Sequence, residues 1–109
     1  TALNAAISEA KDLFNNKDYP EAKVSTESAI KVFGTNLTQE LLPIIKTLKS
    51  DTQIINEIKA SEYLKKIELS IKKNNTPKSK IIKACKEVIA FCPGTKTSRK
   101  AQDILEKLK

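Results

Sequence analysis

The chain contains no histidine, no tryptophan and no methionine, and it has only two glycines and two cysteines. Without histidine there is no imidazole base, no Ser-His or Cys-His nucleophile pair and no histidine metal ligand. Two cysteines are too few for a structural zinc site, and two glycines cannot form a phosphate-binding loop. The sequence therefore argues against most enzyme mechanisms, and we expect neither catalysis nor a bound metal or cofactor.

Long apolar runs are also missing, since no stretch approaches the roughly 20 residues that a membrane-spanning helix needs. The 109 residues, 39% hydrophobic and 30% charged, suffice for a single domain with a packed core. The chain begins at Thr1, so we expect a processed cell-envelope or secreted protein, or an excised cytoplasmic domain, and the compartment stays open. Cys85 and Cys92 lie on one predicted helix, about 10.5 Å apart in rise, which is too far for a disulfide. They are predicted to be core residues.

Apolar residues recur at spacings of three and four, and turn residues separate these stretches into six predicted helices. The helices are expected at residues 2–15, 20–33, 37–49, 52–73, 77–92 and 95–108. No segment alternates strictly between apolar and polar residues, so the sequence predicts an all-α fold. The short connections favour antiparallel neighbours. The apolar stripes place Val24 and Tyr63 among the inward-facing residues.

Proline, glycine and capping residues indicate where these helices begin and end. Pro20 and Gly34 mark the start and the end of the second helix. Pro43 either kinks the third helix or marks its true first turn. Ser50 is expected to open the fourth helix, and Thr76, which precedes a proline, is expected to cap the fifth.

The two halves of the chain resemble each other at offsets of 57 to 60 residues. Pro20 aligns with Pro77, and Gly34 aligns with Gly94. A helix, a proline-started helix, a Gly-Thr pair and a further helix thus occur twice, which predicts a duplicated three-helix unit. The repeat covers residues 1–50 and 58–109. The alternative is that amphipathic helices align through their period alone. Repeated units stack into an extended, right-handed array rather than enclosing a pocket.

A family resemblance lies in the first half of the chain. The residues that carry it are Ala10, Leu13, Phe14, Asp18, Tyr19, Pro20, Glu21, Ala22, Ala29 and Ile30. This pattern resembles a tetratricopeptide repeat, a unit of two antiparallel helices about 34 residues long. Ala10, Ala22 and Ala29 match the three small positions of that family. Residues 88–95 resemble the end of a second unit.

The resemblance covers residues 4–37 and, more loosely, residues 58–109. Residues 38–57 do not fit the period, the Trp and Gly of the family's first helix are absent, and Thr26 stands where a large aromatic is usual. The predicted helix at residues 77–92 is the second helix of a unit by motif, but it is the first helix of the third pair when the six helices are counted in pairs. The resemblance implies a superhelical interaction scaffold of six helices in one domain, 1–109, without catalysis.

The positive charge is concentrated in the second half of the chain. Residues 1–54 have a net charge of −1, whereas residues 55–109 have a net charge of +8. A candidate basic patch comprises Lys65, Lys66, Lys72, Lys73, Lys80, Lys83 and Lys86. Such a patch attracts an acidic protein, nucleic acid or anionic lipid, or it is only a solvated surface. Nineteen lysines against one arginine, and aromatics assigned to the core, argue against nucleic acid.

We therefore expect a protein–protein interaction scaffold module, a fragment of a larger or processed protein. A peptide or partner helix would lie in a groove lined by alternate first helices. In the register of the repeat family, the groove-facing candidates are Asn4, Ile7, Lys11 and Asn15. The alternative is a basic surface that binds nucleic acid or another acidic polymer. A third possibility is oligomerisation through the end helices, because Leu105 and Leu108 keep the last helix apolar and any further chain would pack there.

Overall fold

The computed structural model describes residues 1–108, which form six α-helices and one short 3₁₀ helix. The elements are α1 (Ala2–Asn15), α2 (Tyr19–Phe33), the 3₁₀ helix (Gln39–Leu41), α3 (Leu42–Ser50), α4 (Thr52–Lys73), α5 (Lys78–Phe91) and α6 (Lys96–Leu108). No residue in this part of the chain belongs to a β-strand, so the predicted all-α fold is confirmed. None of the described helices is long and apolar enough to cross a membrane.

The chain divides into two compact units, which we call unit 1 (Thr1–Ile55) and unit 2 (Asn56–Lys109). The boundary falls inside α4, so that only the first turn of this helix belongs to unit 1. Each unit has an apolar cluster of its own. The boundary also lies between the two halves of the predicted internal repeat.

In unit 1, α1 and α2 pack through small side chains. Ala10 and Ala29 are buried in one cluster with Ile7 and Leu41. Alanine side chains are short, so the two helices can approach closely here. α2 ends at Gly34, as predicted, where a φ of +83° suits glycine.

The third predicted helix begins later than expected. The hydroxyl of Thr38 is buried and donates to the carbonyl of Gly34 at 2.7 Å. The 3₁₀ helix follows, and α3 begins only at Leu42 with Pro43 in its first turn. Of the two alternatives for Pro43, the first-turn position is therefore the one found. In the first turn of a helix the backbone N–H has no intrahelical partner, so a proline there costs no hydrogen bond.

The predicted start of α4 at residue 52 is confirmed, but the residue predicted to cap it was wrong. The Ser50 hydroxyl donates to the carbonyl of Lys46 inside α3, at 2.7 Å. Asp51 instead caps α4, because its Oδ1 accepts the Ile54 amide at 3.2 Å. Both residue types can cap a helix, so the local sequence did not distinguish them.

The predicted cap of α5 was also wrong. Pro77 occupies the cap position and has no side-chain acceptor, while the Thr76 hydroxyl lies 3.2 Å from Asn75 Oδ1. α6 has the stronger cap. The Ser98 amide donates to Thr95 Oγ1 and the Thr95 amide donates to Ser98 Oγ, both at 3.1 Å. This reciprocal pair satisfies two amides that the helix itself leaves unpaired.

Unit 2 has the larger apolar cluster. Its buried members come from α4, α5, α6 and the residue after α5: Ala60, Leu64, Ile67, Ile81, Ala84, Cys85, Val88, Cys92, Ala101 and Leu105. Both cysteines are buried and free, as predicted. The placement of Val24 and Tyr63 in the core was wrong, because they are 57% and 42% exposed. Periodicity predicts an apolar stripe but not how far a neighbouring helix covers its edges.

Candidate binding surfaces

The four residues predicted to face a groove, Asn4, Ile7, Lys11 and Asn15, lie on α1 in unit 1, and we call them the α1 stripe. The structure separates them into exposed and covered positions. Asn4 and Asn15 are exposed. Ile7 is only 7% exposed and belongs to the apolar cluster that contains Leu41. Lys11 Nζ lies 3.7 Å from an Oε atom of Glu40.

The 3₁₀ helix explains this separation, because it carries both Glu40 and Leu41 and contacts α1. It covers the middle of the stripe that was expected to form an open groove. This corrects the placement of Ile7, which is a core residue. Lys11 already has an acidic neighbour, although an exposed ion pair of this kind contributes less than about 1 kcal/mol. Asn4 and Asn15 remain as exposed candidates, and Lys11 remains as a partly exposed one.

The seven lysines of the candidate basic patch are all exposed and all belong to unit 2. They do not share one face. Along α4, Lys66 and Lys73 are seven residues apart and lie on one side of the helix. Lys65 and Lys72 lie about 100° further round. Lys86 lines two pockets that also contain Ile82 and Ala90 of α5. The seven lysines are thus distributed over more than one face of unit 2.

A groove that the sequence analysis did not predict lies between α5 and α6. It has a volume of about 730 Å³ and an apolar floor of Ile82, Ile89, Leu105 and Leu108. Lys78, Lys86, Ala90 and Gln102 complete its lining. Most of the floor residues also pack against the core of unit 2, so the floor is held in place. We call this surface the α5–α6 groove.

A smaller groove lies between α4 and α5. It has a volume of about 240 Å³ and is lined by Lys59, Ala60, Tyr63, Glu87, Val88 and Phe91. Tyr63 is 42% exposed and Phe91 is 51% exposed. We call it the aromatic groove. The sequence did contain a signal for it, because Phe91 is the last residue of a helix that precedes a Pro-Gly turn.

Several buried polar groups in unit 2 have hydrogen-bond partners. The Thr97 hydroxyl donates to Glu57 Oε2 at 3.2 Å, and both residues are buried. The Cys92 thiol donates to the carbonyl of Val88 at 3.3 Å. Burial raises the pKa of the Cys85 thiol, so this sulfur stays protonated and weakly nucleophilic at neutral pH. These groups serve packing and offer no exposed nucleophile.

Among residues 1–108, no group of three or more His, Cys, Asp or Glu side chains is placed to hold a metal ion. The chain matches no known family model, and it matches no curated protein and no solved structure. Its surfaces are therefore the basis for the inferences that follow.

Proposed function

We propose that the chain is a non-catalytic protein-interaction module, and that the α5–α6 groove of unit 2 binds an acidic amphipathic helix of a partner protein. The observation that carries the proposal is the pairing of an apolar floor with two lysines, Lys78 and Lys86. An amphipathic helix inserts apolar residues at positions i, i+3, i+4 and i+7 into such a groove.

The chemistry of the lining favours an acidic partner. Five aliphatic side chains line the groove, and its charged lining residues are both lysines. The whole of unit 2 has a net charge of +8, which speeds the approach of an acidic partner and disfavours a basic one. The resemblance to tetratricopeptide repeats agrees with an interaction role, and we retain it as part of the proposal.

Binding of three helical peptides tests the proposal. The first has leucines at the four groove-facing positions and glutamates elsewhere, the second has the same composition with the leucines scattered, and the third has lysines in place of glutamates. We expect the first to bind in the micromolar range and the others at least about tenfold more weakly. Equal binding of the first two peptides would show that the apolar floor does not contribute.

Two charge reversals then locate the site. Lys86→Glu places a negative charge on the groove and should weaken binding of the first peptide about tenfold. Lys65→Glu makes the same change in net charge on α4, outside the groove lining, and should have a much smaller effect. Equal losses in the two variants would indicate diffuse electrostatic attraction. Sedimentation of the free protein should show a monomer, and a dimer would favour self-association through the end helix.

A further inference from the structure

The aromatic groove is a second surface of unit 2 on which apolar side chains are exposed. Phe14, Tyr19 and Phe33 of unit 1 are half-buried, whereas Tyr63 and Phe91 of unit 2 are exposed on one groove. Exposed aromatic pairs of this kind are typical of contact surfaces. The assignment of Tyr63 to the core was the sequence argument against a stacking surface, and it is corrected above.

Lysines continue this surface along both helices. On α4, Lys59, Tyr63, Lys66 and Lys73 follow one another at intervals of four, three and seven residues, which keeps them on one side of the helix. The row from Lys59 to Lys73 is about 21 Å long. All three of its lysines are exposed.

The corresponding side of α5 carries the same two kinds of residue. Lys80 is exposed and precedes Phe91 by 11 residues, which is about three turns of helix and keeps the two residues on one side. Lys80 and Lys73 flank the short turn between the two helices. We call the combined surface of the α4 row and these α5 residues the α4–α5 face.

We propose that the α4–α5 face binds single-stranded nucleic acid. Bases stack on Tyr63 and Phe91, while backbone phosphates contact the lysines. Stacking platforms beside a basic track are the recurring design of sites that bind single strands without sequence preference. A face about 21 Å long accommodates roughly four nucleotides. An acidic peptide would use the lysines but has no comparable use for two exposed rings.

Glu87 opposes this role locally, because it lines the aromatic groove beside Lys59. A phosphate near this carboxylate would be repelled. The bases therefore occupy the aromatic end of the face and the phosphates lie towards Lys66, Lys73 and Lys80. Replacing the carboxylate by a neutral amide, Glu87→Gln, should raise affinity about threefold.

Fluorescence anisotropy with two probes tests the proposal: an oligo(dT) of about eight nucleotides, and an abasic sugar–phosphate oligomer of the same length. At low salt, wild-type protein should bind oligo(dT) about tenfold more tightly than the abasic oligomer. Tyr63→Leu and Phe91→Leu should each remove most of that preference. Tyr63→Phe should retain it, since the ring remains. These side chains are exposed, and circular dichroism verifies that the variants fold.

Salt dependence tests the phosphate contacts separately. Lys66→Gln and Lys73→Gln should each reduce the slope of log K against log salt by about 0.7 for a single strand. Lys31→Gln, at an exposed position on unit 1, should leave the slope unchanged. Equal binding of the two probes, or unchanged binding in the leucine variants, would overturn the proposal. So would the absence of oligo(dT) binding at low salt, or binding of polyglutamate as tight as that of oligo(dT).

Discussion

Units 1 and 2 are built from the same kind of helices but differ in how charge and burial are distributed. Unit 1 has a net charge of −1 and a small apolar cluster around Ile7, Ala10, Ala29 and Leu41. Unit 2 has a net charge of +8 and the larger cluster. Like charges on one compact body repel each other, and apolar burial must offset that repulsion. The charge therefore lies on the unit that has more buried apolar surface to oppose it.

The units also differ in whether their buried polar groups have hydrogen-bond partners. In unit 2, Thr97 donates to Glu57, and Thr95 and Ser98 cap α6 reciprocally. In unit 1, the hydroxyl of Thr26 is fully buried and has no hydrogen-bond partner. Leaving a buried donor unsatisfied costs about 1–3 kcal/mol. Unit 1 thus carries one unsatisfied buried hydroxyl, whereas among residues 56–108 no fully buried side-chain nitrogen or oxygen lacks a hydrogen-bond partner.

The largest expected effects come from truncating one leucine in each cluster. Leu41→Ala and Leu64→Ala remove side chains that are 0% and 2% exposed. Each should lower the free energy of unfolding by about 3 kcal/mol, through lost burial and a residual cavity. Urea denaturation measures the loss, and amide hydrogen exchange locates it. Loss of protection concentrated in the unit that holds the leucine would support the division into two units, and an equal loss in both units would contradict it.

Two buried hydroxyls in unit 1 predict effects of opposite sign. Thr26→Val removes an unsatisfied hydroxyl at nearly constant shape and should stabilise the protein by about 1 kcal/mol. Thr38→Val makes the same change where the hydroxyl donates to Gly34 at 2.7 Å, and should destabilise it by about 1 kcal/mol. Thermal unfolding of the two variants measures both shifts. Destabilisation by Thr26→Val would show that this hydroxyl has a partner after all.

Helix caps allow a matched pair of variants in unit 2. Thr95→Ala removes an acceptor for the Ser98 amide and should lower stability by about 1 kcal/mol. Thr76→Ala changes the threonine that the sequence favoured as a cap, but the structure places it outside the capping position. Its effect on urea denaturation should stay within about 0.5 kcal/mol. Similar losses in both variants would indicate that Thr76 does cap α5, as the sequence predicted.

The helices themselves were predictable because their signals are local. Gly34 ends α2 and Pro43 lies in the first turn of α3, since each residue type suits few backbone positions. The caps were less predictable, because Ser50 and Asp51 are neighbours of similar capping ability. Thr76 resembles a cap in sequence, and only the backbone shows that Pro77 takes that position.

The candidate surfaces were less predictable because they depend on which helix covers which stripe. Ile7 was assigned to an open groove, but residues 39–41 fold against α1 and bury it. Tyr63 was assigned to the core, but it lies at the edge of the α4–α5 contact. The α5–α6 groove combines residues up to 30 positions apart, from Lys78 to Leu108, so no local sequence pattern predicts it.

The smallest expected effect concerns pH, and it again separates the two units because only unit 2 contains cysteine. Burial raises the pKa of the Cys85 thiol above its ordinary value of 9.0. Above about pH 9 the unfolded chain therefore loses a proton that the folded chain keeps, and unfolding becomes easier. The stability that this thiol contributes is complete below that pH and falls as pH rises through the folded-state pKa.

Urea denaturation of the wild type and of Cys85→Ala, between about pH 7 and pH 10, isolates this contribution, because the many lysines are common to both proteins. The advantage of the wild type should shrink above about pH 9, by less than about 1.4 kcal/mol per pH unit. Amide protection in unit 1 should not distinguish the two proteins. A constant difference across this range would mean that the Cys85 thiol titrates alike in the folded and unfolded chains, and the argument that burial raises its pKa would then fail.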